Sequence, residues 1–348
     1  MKVYGIILAG GDGERFWPMS TAKRPKQFVD IFGGKPLIRH AVDRLEGLIP
    51  PCRILVITAS RFVAETRKAL PMVPRENIIG EPCRRDTAAA VAVAVGLVKK
   101  LGGVNAVGCI LTADHLMKPV VAFRATLKDA IHAAAKTDSI VTMGIPPTFA
   151  ATGFGYIEEG ARVDFGRPTV FHRVKRFVEK PDAKTAARYL KSGRFRWNSG
   201  MFIWRVASLE QAFLDCAADF AGLIDAVSRS QRVEAVLKRL YPELRSISVD
   251  FAVMEKTQNI LVANGVFKWD DVGSWLALPN HFTRDDAGNT MLGRVASLDV
   301  GQSIVVSTDD QPMAVIGVDN VVVVHTAFGT LVAAKNRVQD IKKLISTL

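Results

Sequence analysis

The sequence predicts an α/β fold, with a parallel sheet covered by helices on both faces, followed by a small all-β module. The first part rests on short apolar runs at residues 3–9, 53–58, 106–112 and 139–144, which alternate with segments of helical spacing. The second rests on a change of character at residues 283–289, TRDDAGN. Beyond it, β-branched runs at 304–306, 314–318, 321–324 and 331–334 recur between Gly and Asp turns. Strands alternating with helices build sheets that take ligands at the carboxyl ends of their strands, so residues just past 9 and 112 are the places to look for a site.

The helices are read the same way. Leu37, Ile38, Ala41, Val42 and Leu45 repeat at helical spacing behind Pro36, which suits a first turn. DTAAAVAVAVGLVKKLGG, from Asp86, opens on a capping Asp or Thr and closes on Lys99, Lys100 and glycines, matching the helix dipole at both ends. Val338, Ile341, Leu344 and Ile345 predict a terminal helix packed on a neighbour. A chain of 348 residues, 49% hydrophobic and 23% charged, can bury more than one core, and the break gives domains 1–286 and 287–348. Residues 88–98 and 321–324, the strongest apolar stretches, fall short of the roughly 18 residues a bilayer span needs. Too few apolar residues precede Gly10-Gly11-Asp12 for a signal-peptide core, so a cytoplasmic protein without a membrane partner is expected. Cys52, Cys83, Cys109 and Cys216 stand far apart, which suits neither a disulfide framework nor zinc.

Forty-six Lys and Arg against 34 Asp and Glu give a formal charge of +12. That suits nucleic acid, an acidic surface or phosphorylated small molecules. Residues 1–100 carry 17 basic and 9 acidic residues, spread out without blocks, and no RNP-like strand or C2H2 spacing is present, which excludes nucleic acid as the expected partner. The stretch IILAGGDGERFWPMSTAKRPKQF, residues 6–28, gathers the phosphate-seeking features. It is not a P-loop, since no Gly-Lys-Ser/Thr follows, nor a dinucleotide fingerprint, since Phe16 stands where glycine is required. Gly10, Gly11 and Gly13 nevertheless let the backbone approach an anion, and Arg15 and Lys26 supply a guanidinium fork and a mobile ammonium for a polyphosphate.

LAGGDGERFWPMS followed by RPKQF resembles the signature of the sugar-phosphate nucleotidyltransferases, in the Trp-Pro form of the mannose-1-phosphate guanylyltransferases. GEPCRRDTAAA, LTADH, TGFGYIE, FVEKP, WNSGMFIW, SVDFAVMEK and WDDVGSW follow in the family's order along almost the whole chain. The resemblance implies a Rossmann-like nucleotidyltransferase domain with a predominantly parallel mixed sheet, then a small left-handed β-helix, which in such families can mediate a homodimer contact. Longer relatives continue into a phosphomannose isomerase domain, so that second activity is expected to be absent. The implied reaction is attack by a phosphate oxygen of mannose 1-phosphate on the α-phosphorus of GTP, giving GDP-mannose and pyrophosphate. An ionised phosphate is already a nucleophile, so the catalyst has to bring two polyanions together and neutralise the leaving charge.

The resemblance assigns residues to these tasks. Leu8, Ala9, Gly10, Gly11, Gly13, Arg15 and Lys26 would cradle the nucleotide, with Arg85, Asp86 and Thr87. Glu81 would accept both donors on the Watson-Crick edge of guanine. Asp114 and Asp271 would hold Mg2+ with phosphate oxygens completing its shell, Asp271 being chosen over its neighbour Asp270. Lys180 would meet the sugar phosphate, Glu179 the sugar hydroxyls, and Gly155 and Asn198 would close that pocket; Arg15, Lys26, Asp114, Lys180 and Asp271 would be the catalytic residues. Three departures from the family pattern bear on nucleotide and sugar choice: Glu14 in the loop, Asp86 in place of Asn, and TADH in place of Pro-Ala-Asp-His. They leave open another sugar 1-phosphate or nucleotide within the class. A non-catalytic sugar-nucleotide sensor is the rival outside it, and the joint presence of Arg15, Lys26, Asp114, Lys180 and Asp271 speaks against that rival.

Overall fold

The predicted apolar runs at 3–9, 53–58, 106–112 and 139–144 become β1 (Val3–Ala9), β2 (Ile54–Ala59), β4 (Val107–Thr112) and β6 (Ile140–Ile145), and β3 (Ile78–Glu81) is a strand they did not include, in the computed structural model, which describes all residues except 12, 310, 346 and 348 and the side chain of Glu14. β5 (Leu116–Lys118) is a short strand beyond Asp114. β6 (Ile140–Ile145), β7 (Tyr156–Val163), β8 (Phe171–Val178), β9 (Phe195–Arg205) and β10 (Ile260–Asn264) complete a nine-stranded sheet in the order β3-β2-β1-β4-β9-β6-β10-β8-β7. β11 (Lys268–Asp270) ends directly before Asp271. Contacts divide the chain into two compact units. The first contains Met1–Gly10, Ala41–Ala113 and Met117–Trp269; the second contains Gly11–His40, Asp114–Leu116 and Asp270–Leu348.

In the first unit the sheet is mixed. β3-β2-β1-β4 run parallel, as do β6 and β10, whereas β9 lies antiparallel between β4 and β6, and β8 and β7 close the far edge antiparallel. Strand burial explains which of these were legible. β1, β2, β4 and β6 are buried almost throughout and read as unbroken apolar runs, while β8, Phe171–Val178, keeps His172, Arg173, Lys175 and Arg176 outside the core and carries no such run. The helix Asp86–Gly102 is buried at every position from Ala88 to Val98, so its small side chains form one core with Trp204, Phe213, Phe220 and Ile224. Its start differs from the expected side-chain cap. Asp86 sits at φ 60°, and the Thr87 hydroxyl accepts Val249 N–H at 2.9 Å while Ala88 N–H donates to the Ile247 carbonyl at 3.1 Å. The terminus is therefore satisfied from two sides, Thr87 N–H by the Asp86 carboxylate at 2.7 Å and Ala88 N–H by the neighbouring segment.

The second unit holds the β module. β12 (Thr290–Leu292), β14 (Ile304–Ser307) and β16 (Val321–Thr326) stack in parallel, β17 (Gly329–Ala334) closes that face antiparallel, and β13 (Val295–Leu298) pairs in parallel with β15 (Met313–Ile316). Ile304 faces Val322, Val295 faces Met313, and Gly301 bridges Asp319, so corresponding positions recur eighteen residues on, around three faces of one coil. That is β-helix architecture. Ile304, Val306, Val322 and Val324 point into a core with Phe16, Val29, Trp275 and Val338. The predicted terminal helix forms as a 3-10 turn, Lys335–Asp340, then Ile341–Ile345; Val338 and Ile341 are buried, whereas Leu344 faces solvent, which corrects its assignment to the packed face. All four cysteines are free. No helix among the described residues is long and apolar enough to cross a membrane.

Candidate functional site

The predicted residues fall into clusters, one in the second unit and the others in the first. In the second unit Lys26, 7% exposed, opens the turn Lys26–Phe28. Its ammonium donates to Asp114 Oδ2 at 2.8 Å and to the Asp271 backbone carbonyl at 2.6 Å, joining three sequence-distant residues. Gly13 explains how the loop reaches this position. It sits at φ +60°, and a Cβ built there would strike the Lys26 backbone and Cβ, so only glycine lets the loop fold over the lysine. Its carbonyl accepts Ser20 Oγ–H at 2.6 Å and Phe16 N–H at 3.2 Å, which fixes the turn. Gly11 has nothing within 4 Å of the same construction, leaving its backbone open to a ligand. Arg15 is exposed on the turn Glu14–Phe16, and the Glu14 carboxylate lies outside the described residues.

Electrostatics separate the two adjacent acids. Asp270 is consumed by structure: Oδ1 accepts Val272 N–H at 2.7 Å, while Oδ2 meets Asn280 Nδ2 at 2.9 Å and His281 Nε2 at 3.0 Å. Burial opposes its charge, but these donors hold the carboxyl below its usual range. Asp271 behaves oppositely. Burial, followed by the Asp270 and Asp114 charges, pushes it up against the pull of Lys26. At Asp114 burial is outweighed by Lys26 and His115, and the carboxyl is lowered. Two carboxylates, one raised by the other, make a place a divalent cation would relieve. Among the described residues no group of three or more His, Cys, Asp or Glu is placed to bind a metal alone. Two hard oxygen donors awaiting phosphate oxygens fit the way Mg2+ is usually held.

In the first unit Gly155, Glu179, Lys180 and Asn198 converge. A Cβ on Gly155 would meet Glu179 Oε2 and Asn198 Cβ, so this glycine permits a close approach. Asn198 N–H donates to the Gly155 carbonyl at 2.8 Å, tying β9 to the strand edge. Lys180, at φ 45° in the Glu-Lys-Pro turn, donates to Glu179 Oε1 at 2.7 Å with its side chain 60% exposed. Burial works against its charge, but Glu179, Asp250 and Asp86 together hold it above the usual lysine range. Two contributors here had no assigned role in the sequence: Asp250 accepts Asn198 Nδ2–H at 2.9 Å, and Glu255 accepts Glu179 N–H at 2.9 Å. Both lie in SVDFAVMEK, so the motif was visible but its task was not.

The nucleotide residues of this unit sit at the β1 and β3 ends. The Leu8 carbonyl accepts Ala113 N–H at 3.1 Å and the Ala9 carbonyl accepts Thr58 Oγ1–H at 2.9 Å, which pins the strand end before Gly10. A Cβ on Gly10 would lie 3.2 Å from Glu81 Oε2, placing Glu81 against the loop's first glycine. Glu81 Oε1 accepts the Tyr241 hydroxyl, a partner the sequence did not signal. Burial raises Glu81 and the tyrosine partly offsets it. Arg85 is turned to the Pro242 carbonyl, so it braces the segment carrying Tyr241. Asp86 Oδ1 accepts Thr87 N–H at 2.7 Å, and Thr87 is engaged by Val249.

Known proteins match this chain in sequence and in fold. The family model described as "Nucleotidyl transferase" matches residues 4–287, and that described as "MannoseP isomerase/GMP-like beta-helix domain" matches 293–348. A Sinorhizobium fredii protein named mannose-1-phosphate guanylyltransferase is 36% identical over 100% of this chain and 68% of its own length; an Escherichia coli protein of the same name is 36% identical over 99% and 73%. A crystal structure from Thermus thermophilus, described as a mannose-1-phosphate geranyltransferase, superposes with a TM-score of 0.89 at 32% identity, covering 100% of this chain and 99% of that one. Nucleotidyltransferases of this family generally need a divalent metal. On that agreement of sequence, sheet and β module, the chain belongs to the nucleotidyltransferase family, with a C-terminal β-helix domain of the mannose-phosphate isomerase/guanylyltransferase type.

Proposed function

We propose that the chain transfers GMP from GTP to mannose 1-phosphate, releasing GDP-mannose and pyrophosphate. The observation that carries this reading is the Lys26 ammonium held between Asp114 and Asp271, a cation and two acids gathered behind a glycine loop. Lys26 and Arg15 hold the polyphosphate, and the open backbone at Gly11 lets it approach. Asp114 and Asp271 would hold Mg2+, which supplies charge neutralisation at the leaving pyrophosphate when bound. Glu81 presents Oε2 to the guanine edge while Tyr241 occupies Oε1, with Arg85, Asp86 and Thr87 bracing the same strand end. Lys180 meets the sugar phosphate, and Glu179, Asn198 and the Gly155 backbone meet the sugar. No general base is needed, since the attacking oxygen is already ionised.

The names of the full-length relatives support mannose 1-phosphate and a guanine nucleotide as substrates. The same reading places the enzyme in the cytoplasm and divides it after Asp286. Exposed Leu298, Ile316, Phe328 and Val332 on the β module support a homodimer through that module. Pyrophosphate release, measured with Mg2+ for a panel of nucleoside triphosphates crossed with sugar 1-phosphates, tests the assignment. GTP with mannose 1-phosphate is expected to give the highest turnover. A different best pair would move the substrate within the class, and no release from any pair would overturn the reading.

A further inference from the structure

SVDFAVMEK forms a π-helical turn, Asp250–Met254, with Glu255 directly behind it. π-turns inside helical segments concentrate at functional positions. This one is bonded twice to the residues assigned to the sugar phosphate. Glu255 holds the Glu179 backbone N–H at 2.9 Å, and Asp250 Oδ1 accepts Asn198 Nδ2–H at 2.9 Å. The orientation of the Asn198 amide is set at its other end, because Oδ1 accepts Gly200 N–H at 3.1 Å, while the Thr142 hydroxyl 3.3 Å away has the Met201 carbonyl as its nearer acceptor at 3.1 Å. An amide carries two N–H donors and one carbonyl. With these partners Asn198 keeps its second N–H, the donor it can offer a ligand.

We propose that Asp250 is a positioning residue of the sugar-phosphate site: it fixes the Asn198 amide with its N–H toward the ligand and sets how much Lys180 charge is left for the phosphate. This rests on the assignment of that site to the sugar phosphate. The carboxyl lies near enough to Lys180 to act on its charge, together with Glu179 and Asp86. Burial, then the Glu179 carboxylate, pushes Asp250 up to about 7, against the pull of Asn198 and Lys180. The titratable groups around it are therefore Glu179, Lys180 and, through Lys180, Asp86, with Glu255 on its own segment. Below that range Asp250 is neutral and Lys180 is offset by fewer negative charges. Above it, a further negative charge sits beside the ammonium, and an anionic substrate is held less well.

Steady-state kinetics of Asp250→Asn and Asp250→Ala, from pH 6.5 to 8.5, test this with GTP and mannose 1-phosphate varied separately. Asp250→Asn keeps an acceptor for Asn198 and cannot ionise. It is expected to match the native enzyme near pH 6.5 and to show a KM for mannose 1-phosphate three- to tenfold lower at pH 8.5, with the KM for GTP within twofold. Asp250→Ala releases the amide and is expected to raise the sugar-phosphate KM at least tenfold at both pH values. A pH profile of Asp250→Asn superimposing on the native one would overturn the inference while leaving the reaction in place. A native enzyme with no turnover on this pair would remove the substrate reading and this inference with it.

Discussion

Lys26 and Lys180 each donate to a carboxylate, at 2.8 and 2.7 Å, yet their surroundings differ. The Lys26 side chain is 9% exposed and bridges the Asp114 carboxylate and the Asp271 backbone carbonyl, whereas that of Lys180 is 60% exposed and shares its charge among Glu179, Asp250 and Asp86. A buried, doubly bonded ammonium is preorganised and changes nothing when a ligand arrives. Of the second pair only the ammonium is exposed, Glu179 being 9% exposed, so the lysine is free to turn toward a phosphate. The first suits stabilisation of a transition state; the second suits reversible capture of a substrate. The contrast is broken most severely at the acids around Lys26. Asp114→Ala and Asp271→Asn are each expected to lower kcat by roughly 10²–10³-fold or more, as loss of one charge-stabilising group does. Asp270→Asn, whose parent residue only bonds Val272, Asn280 and His281, should cost stability more than turnover. Equal kcat losses at 270 and 271 would undo the separation drawn between them.

Next in size is Gly13→Ala. A side chain at φ +60° costs about 1–2 kcal/mol, and overpacking against Lys26 adds about 1–3 kcal/mol. Denaturant melts should show a loss of about 2–5 kcal/mol, and the displaced lysine should lower activity in the protein that remains folded. Gly11→Ala, with nothing near its added carbon, should leave stability nearly unchanged and weaken nucleotide binding.

What could be read from the sequence follows the same division. β1, β2, β4 and β6 announce themselves because both faces are buried and, apart from Thr58, Thr112 and Thr142, their residues are apolar or glycine. β7 and β8 carry charged residues along their length and have no such pattern. Lys26, Asp114 and Asp271 were legible as strand-end or motif residues, and the choice of Asp271 over Asp270 gains a physical reason only from the bonds that consume Asp270. Tyr241, Asp250 and Glu255 were not legible as site residues. Each acts on another side chain or backbone group at a sequence separation of 52 or more, as in Tyr241 to Glu81 and Asp250 to Asn198, and no local spacing encodes such a partner.

At Lys180 the comparison predicts a binding defect. Lys180→Met should raise the KM for mannose 1-phosphate about tenfold to a hundredfold, the value of a hydrogen bond to a charged group, with kcat changed less. Raising ionic strength should weaken sugar-phosphate binding in the native enzyme more than in Lys180→Met, because the exposed charge is the one that salt screens. A kcat loss matching that of Asp114→Ala would place Lys180 in the catalytic group instead.

The smallest expected effect lies at Tyr241→Phe. Burial, then the Glu81 carboxylate, holds the Tyr241 phenol far above its ordinary range, so at any working pH it remains a donor. Glu81 is itself raised by burial, and the tyrosine is what pulls it back. Removing the hydroxyl raises the Glu81 carboxyl further. The protonated acid then accounts for more of the population as pH falls, and a protonated carboxyl accepts less well from the two guanine donors. A neutral hydrogen bond is worth about 0.5–1.5 kcal/mol, so kcat/KM for GTP should fall about twofold to tenfold. The defect should be larger at pH 6 than at pH 8, with mannose 1-phosphate binding untouched. A defect that is the same at both pH values, or that follows the sugar phosphate, would mean that Tyr241 supports the strand end and does not tune Glu81.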